Sequence, residues 1–384
     1  MRLFLALAGV VVAAGTIEVS VRIVRPVNLD FYNWQKIKRV AEPPGNGFEY
    51  IPGGRNDFYV GVPVEINSIG LRDAEIQIPK PADTVRILVV GDSLTFGFGV
   101  RLEEIYLKVL ERELNTRARR SKRYEVINGG MEGTGLRRHL QFIEARASRL
   151  QPDLVIVAIS LNDIVDRRTR DSEPDSRAFS DRSPVRRLNT FLLFHSQAYL
   201  ASYMRLKSLF YRSGLLNFSD EHWYEIDILK STAAQMEGAW SSTRETLSEI
   251  VALAREREYL LMFVVFPMEV QLDERAIELY RRELFLDVGV EALSGEPQAE
   301  LLSFGASAGV PVLDLLPVFR GATGGELYLR NRSMAADLVH PSAAGHRLAG
   351  RTLYSFLRQQ GILARLQQPA DVDADGFAIF RQHE

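Results

Sequence analysis

The sequence predicts an α/β protein, an open parallel sheet with helices packed on both faces. Three observations predict it. Short apolar, β-branched runs recur along the chain, helical patterns lie between most of them, and polar or glycine-rich motifs sit where the runs stop. Alternation of this kind is satisfied by parallel strands joined through crossover helices.

Residues 1–24 come first. Met1-Arg2 precedes an uncharged, mostly apolar run from Leu3 to Ile17. That run is shorter than the roughly 20 residues a bilayer span needs. It fits the apolar region of a signal peptide, with Ala13, Ala14 and Gly15 as a cleavage point. Continued through Glu18 to Val24, it reads instead as a retained membrane anchor, which is the favoured expectation. A buried soluble helix fits poorly, because polar residues are nearly absent on every face. Either export reading places the body of the protein outside the cytoplasm, at the periplasmic or extracytoplasmic face.

Residues 25–84 are rich in Pro, Gly and Asn and lack a helical period, so they read as a spacer with short strands. Val85 to Val90 (VRILVV) then has the look of a strand buried on both faces, ended by Gly91. Similar runs follow at Tyr124 to Ile127, Leu154 to Ile159, Tyr259 to Phe266 and Val310 to Leu315. Among the helical stretches, Leu107, Leu110 and Leu114 share one face. Trp240, Thr243, Leu247, Ile250, Val251 and Ala254 share another, and Ala349, Leu353, Phe356 and Leu357 mark a last helix. Residues 165–230 interrupt the alternation. Asp166 to Arg187 is crowded with charges of both signs and suits a surface loop. Phe191 to Leu216 is aromatic and apolar and reads as one or two cap helices. Its aromatics either pack in a core or line an acyl pocket or membrane contact.

The composition excludes several classes. The 384 residues are 46% hydrophobic, enough for a sizeable core, and carry 47 basic against 49 acidic side chains. The resulting formal charge of −2 gives no sign of nucleic-acid binding. The absence of cysteine excludes disulfides, thiolate catalysis and cysteine-ligated zinc. There is no H-E-x-x-H, no G-x-x-x-x-G-K loop and no G-x-G-x-x-G after the first strand, so no cofactor or metal is expected. Asp371 to Gly376 resembles the first half of a calcium loop, but Gln382 stands where the closing Glu belongs. A solvated acidic turn is the plain reading there.

The polar motifs carry the chemistry. In open α/β sheets, ligands bind at the carboxyl ends of strands. Ser93, in Gly91-Asp92-Ser93-Leu94, follows the first strand at the turn into a helix. It is either a helix cap or a nucleophile beside free helix N–H groups. The second strand ends in Asn128-Gly129-Gly130-Met131-Glu132-Gly133-Thr134-Gly135, a tight turn or a loop that aims the Gly133 N–H into a site. The third ends in Ser160-Leu161-Asn162-Asp163, where Asn162 either forms a turn or offers its amide to an oxyanion. Near the far end, Asp337-x-x-His340-Pro341 sets an imidazole three residues after a carboxylate that can orient it. The histidines at 139, 195, 222, 346 and 383 lack such a setting and read as structural.

Taken together, Ser93, Gly133, Asn162 and His340 in this order resemble the SGNH (GDSL-type) hydrolase family, whose name spells those residue types. The resemblance runs from Val85 to about Gly361 (85–361), with the cap inserted at about 165–230 and residues 362–384 left as a tail. Asn67-Ser68-Ile69-Gly70-Leu71-Arg72-Asp73 also looks like the lead-in of membrane-anchored bacterial members. Ser160 stands where the family usually has glycine. The resemblance implies a flavodoxin-like three-layer sandwich, its five parallel strands in the order 2-1-3-4-5. It implies Ser93 as nucleophile, His340 as base and Asp337 as its orienter. The Ser93 and Gly133 N–H groups and the Asn162 side chain would form an oxyanion hole. The expected function is a serine esterase or deacylase acting on an acetyl or short acyl ester, small or carbohydrate-borne, through an acyl-serine. An O-acyltransferase acting on an envelope polysaccharide is the alternative, and a non-catalytic binding module of the same fold is a third reading.

Overall fold

The computed structural model describes residues 1–41, 48–117, 122–164, 184–213, 228–284, 287–322, 326–330 and 339–367. The chain opens with helix α1 (Arg2–Val24). Two small antiparallel pairs follow: β1 (Lys38–Val40) with β2 (Phe48–Tyr50), and β3 (Arg55–Tyr59) with β4 (Val62–Glu65). Then comes the alternating body. Its members are β5 (Thr84–Gly91), α2 (Ser93–Phe96), α3 (Tyr106–Arg117), β6 (Arg123–Gly130), α4 (Leu136–Leu150) and β7 (Leu154–Ser160). Cap helices α5 (Pro184–His195) and α6 (Gln197–Arg212) precede α7 (Glu237–Glu256) and β8 (Leu260–Phe266). The chain continues with α8 (Glu274–Leu284), α9 (Glu296–Ala308), β9 (Val312–Asp314), α10 (Leu316–Arg320), α11 (Ala343–Gln359) and α12 (Ile362–Gln367).

The sheet has five parallel strands in the order β6-β5-β7-β8-β9, which is the 2-1-3-4-5 order expected. Its fold is the three-layer α/β sandwich. Every residue of β5 and β7 is buried, as strands covered on both faces require. Alternation then divides the core. Leu88, Val90, Val155 and Val157 pack with Leu140 and Ile143 of α4 and Leu247 and Ile250 of α7. Ile87, Val89, Leu154 and Ile156 pack with Leu107 and Leu110 of α3 and Leu353 and Leu357 of α11. The expected faces of α3, α7 and α11 are therefore the buried ones. The last strand is shorter than its apolar run, with Val312 to Asp314 alone paired at the sheet edge.

Because all five strands run the same way, Gly91, Gly130 and Ser160 end β5, β6 and β7 on one side of the molecule. A third apolar cluster lies there: Ile37, Tyr50, Tyr59, Val64 and Ile66 from the N-terminal pairs close around Phe96 of α2, with Phe98 and Met131 packed against them.

The N-terminal helix docks on the cap. Glu18 accepts hydrogen bonds from the Ser196 hydroxyl (2.7 Å) and the N–H groups of Gln197 (3.0 Å) and Ala198 (2.9 Å), so it closes the start of α6. Within the cap, Phe194 and Leu200 are buried, whereas Leu188, Phe191, Leu206 and Leu209 are exposed. Among the described residues no helix is long and apolar enough to cross a membrane. The side chains at positions 2, 3, 6, 7 and 10 of α1 lie outside that set. Asp371 to Gly376 also lies outside the described residues.

Candidate active site

Ser93 occupies the first position of α2, one residue beyond the end of β5, the second strand of the sheet. The turn is tight enough that a Cβ on Gly91 would come within 2.1 Å of the Thr95 hydroxyl. Asp92 caps the helix: its Oδ1 accepts from the Leu94 N–H (3.0 Å) and its Oδ2 from the Ser160 hydroxyl (3.0 Å). At the other end of α2, the buried Arg72 guanidinium donates to the carbonyls of Phe96 (2.9 Å), Gly97 (2.6 Å) and Val100 (2.6 Å). Burial pulls the Arg72 pKa down to about 10, which leaves it charged at neutral pH. The short helix carrying Ser93 is thus held at both ends by side chains from elsewhere in the chain.

His340 arrives from the loop before α11. Its Nε2 lies 2.8 Å from Ser93 Oγ across 247 positions of sequence. The ring stacks on Phe98 at 4.5 Å and 29°. The His340 carbonyl accepts from the Leu329 N–H (2.9 Å), and Tyr328 pairs with Pro341. Ser342 then caps α11, accepting from the Ala344 and Gly345 N–H groups. Asp337 lies outside the described residues.

The loop after β6 carries Gly133 in the left-handed region (φ +66°), a conformation that favours glycine. Helix α2 and the end of β6 meet so closely here that a Cβ on Gly130 would fall 2.1 Å from the Phe96 nitrogen. Asn128 fixes the strand end, its Oδ1 accepting from the Gly130 N–H (2.9 Å). Asn162 sits half-buried in a single 3-10 turn after β7, whose Asp163 carboxylate accepts from the Ser160 N–H (2.9 Å). Ser93, Gly133 and Asn162 therefore follow the carboxyl ends of three adjacent strands.

The structure brings Ser93 and His340 into hydrogen-bonding range. An imidazole at that distance can take the hydroxyl proton and return it. Of the other histidines, His346 is fully buried against Tyr106. Its Nδ1 accepts the Tyr106 N–H (3.2 Å), and burial lowers its pKa to about 3, so it stays neutral. His139 is also buried, whereas His195 is exposed with Nδ1 2.8 Å from the Phe191 carbonyl. Positions 222 and 383 lie outside the described residues. Among the described residues no cluster of His, Asp and Glu could hold a metal ion. Three supports were not singled out from the sequence: the Ser160 hydroxyl on Asp92, the Arg72 bonds to α2, and a buried set around Glu132. Each side chain lay in a motif read for another reason: Arg72 in the Asn67–Asp73 lead-in, Ser160 where glycine is usual and Glu132 in the Asn128–Gly135 turn.

Residues 89–348, more than half of the chain, match the GDSL-like Lipase/Acylhydrolase family. Among solved structures the chain is similar to TesA at 14% identity, covering 71% of this chain and 98% of that one, with a TM-score of 0.38. A lipase/acylhydrolase from Enterococcus faecalis aligns at 16% identity over 72% and 96% of the two chains, with a TM-score of 0.39. Axe2, an acetylxylan esterase from Geobacillus stearothermophilus, aligns at 16% over 72% and 93%, with a TM-score of 0.38. No curated protein matches the chain.

Proposed function

The chain belongs to the GDSL-like lipase/acylhydrolase family and is an ester-hydrolysing enzyme; from that premise we propose a serine esterase that removes an acetyl or other short acyl group through an acyl-serine intermediate. The observation that carries the proposal is the 2.8 Å approach of His340 Nε2 to Ser93 Oγ. Ser93 attacks the ester carbonyl while His340 takes its proton. The oxyanion is received by the Ser93 and Gly133 N–H groups and the Asn162 amide, each donor worth about 3–4 kcal/mol of barrier. The intermediate collapses, and His340 passes its proton to the departing alcohol. Water, deprotonated by His340, then attacks the acyl-serine, and His340 returns that proton to the departing Ser93 oxygen as the acid is released. Asp337 is assigned by its spacing to orient the ring. The test is turnover of a short-chain chromogenic ester and of an acetylated oligosaccharide. Wild type releases free acid, rather than moving acetyl onto added sugar. Undiminished turnover by Ser93→Ala refutes the assignment.

The location follows the same reading. The 23-residue α1 would span about 34 Å at 1.5 Å per residue, comparable to a bilayer core. It exposes Phe4, Leu5, Val11, Val12 and Ile17, while Glu18 is occupied at the start of α6. We propose a retained anchor with the catalytic body at the extracytoplasmic face. Retention of the full chain in carbonate-washed membranes supports it, and release of the full chain refutes it.

A further inference from the structure

Glu132 immediately precedes Gly133, and its side chain is tied to residues 38–59. Lys38 Nζ lies 2.6 Å from Glu132 Oε2. The Tyr50 hydroxyl donates to the same oxygen (3.2 Å), and the Tyr59 hydroxyl donates to Oε1 (3.1 Å). Tyr50 also grips the loop backbone, its oxygen accepting the Glu132 N–H (3.2 Å). Lys38 donates to Tyr59 as well (3.2 Å) and sits over the Phe48 ring. Lys38 and Glu132 are only 5% and 6% exposed. Tyr50 is stacked flat on Phe96, the last residue of the helix that Ser93 begins (5.1 Å, 10°).

A buried ion pair is a poor device for stability alone, because desolvating two charges offsets much of their attraction. What it provides is direction. Here both carboxylate oxygens and the backbone N–H of one loop residue are fixed, next to a glycine whose N–H must point at one place. We propose that the Lys38–Glu132 pair, locked by Tyr50 and Tyr59, is a positioning device that holds the Gly133 N–H toward Ser93 and makes the N-terminal strand pairs part of the active site. This rests on the reading of Gly133 as an oxyanion donor. Burial, and next the charge of Glu132, pushes the Tyr50 phenol well above its usual range, so it stays a donor.

The experiment uses the full chain and compares Glu132→Gln, Lys38→Met, Tyr50→Phe, the double variant Lys38→Met/Glu132→Met, and Ser93→Ala. Sites are counted by phosphonate titration of the variants that keep Ser93. kcat per site, KM, affinity for a trifluoromethyl ketone that forms an oxyanion, and melting temperature are measured. Misplacing one donor by a fraction of its bond length lowers kcat by about ten- to hundredfold. Ketone affinity is expected to fall in parallel, with KM within about threefold because the ground-state ester does not use the donor fully. The double variant melts at or above either single variant yet keeps the kcat deficit. Wild-type kcat and ketone affinity per site in Glu132→Gln, or full recovery of kcat in the double variant, overturns the proposal. If the variants at Lys38 and Glu132 do not fold, Tyr50→Phe decides, since it removes one oxygen: a drop in kcat and ketone affinity at constant KM supports the proposal, and unchanged values overturn it. An inert Ser93→Ala beside an unaffected Glu132→Gln defeats this inference alone. An active Ser93→Ala defeats the esterase reading and this inference with it.

Discussion

Two ion pairs, each with a buried cation, sit at opposite ends of the sheet. At the amino end, Arg86 of β5 is fully buried and its Nε lies 2.6 Å from Glu125 Oε2, directly across the register on β6. Its remaining nitrogens donate to the carbonyls of Leu150 (2.7 Å) and Gln77 (2.9 Å). At the carboxyl end, Lys38 meets Glu132 beside Gly133. The chemistry is alike, yet one pair joins strands that already have a full ladder, and the other fixes a loop that has none. The first should therefore act on stability and the second on rate.

The largest effect expected anywhere is at Ser93. Ser93→Ala should lower kcat by about 10⁴- to 10⁶-fold, as loss of a nucleophile does when the hydroxyl is the attacking group. Its melting temperature should stay close to wild type, since the change removes one oxygen. A large loss of stability would mean that Ser93 also supports the fold and would blur the distinction between the two ends. Next comes Arg86→Met. It removes the partner of the half-buried Glu125 carboxylate and of the Leu150 and Gln77 carbonyls, so unfolding should become easier by about 1–3 kcal/mol in urea titrations. kcat per titrated site should stay within about twofold of wild type. A kcat loss matching that of Glu132→Gln would abolish the comparison.

Acid should weaken the carboxyl end. The His346 pKa is lowered from its ordinary value to about 3, chiefly by burial and then by the charges of Arg72 and His340. A group whose folded pKa is depressed stabilises the fold above its unfolded pKa. That contribution shrinks as pH falls from about 6.5 toward 3. Unfolding free energy measured in urea across this window should drop, and His346→Gln should flatten the drop. An equally steep decline in the variant would place the acid sensitivity elsewhere.

The sheet was legible because burial on both faces leaves a local mark. Val85 to Val90 reads as a strand even with Arg86 inside it, since the neighbours that satisfy the guanidinium do not alter the apolar run. Ser93 and His340 were legible for a related reason: each lies in a short motif with its own turn chemistry, and the fold only has to bring two such motifs together. Lys38 had no such mark, and Glu132, though inside the Asn128–Gly135 turn, carried no sign of its partners. The strands β1 to β4 are three to five residues long, too short to set a period. The hydroxyls on Glu132 come from 82 and 73 positions away. A lysine and two tyrosines in a Pro- and Gly-rich segment look like solvated surface until the chain is folded. Helices α8 and α9 were likewise not singled out between the last two strands.

Ser160 offers the smallest effect and the finest discrimination. It stands where glycine is usual, and its hydroxyl donates to the same Asp92 carboxylate that caps the Ser93 helix. Ser160→Gly removes that bond but leaves the Leu94 N–H on Asp92 and the Ser160 backbone N–H on Asp163. A hydrogen bond to a charged group is worth about 1.5–3 kcal/mol, and the remaining contacts offset part of it. Stability should fall by about 1 kcal/mol, and kcat by less than about tenfold, with KM unchanged. The tether acts on the cap of the Ser93 helix, so the deficit should add to that of Tyr50→Phe on a logarithmic scale. A double variant no slower than the worse single one would show instead that both side chains hold the same moving part, and that the site has one support rather than two.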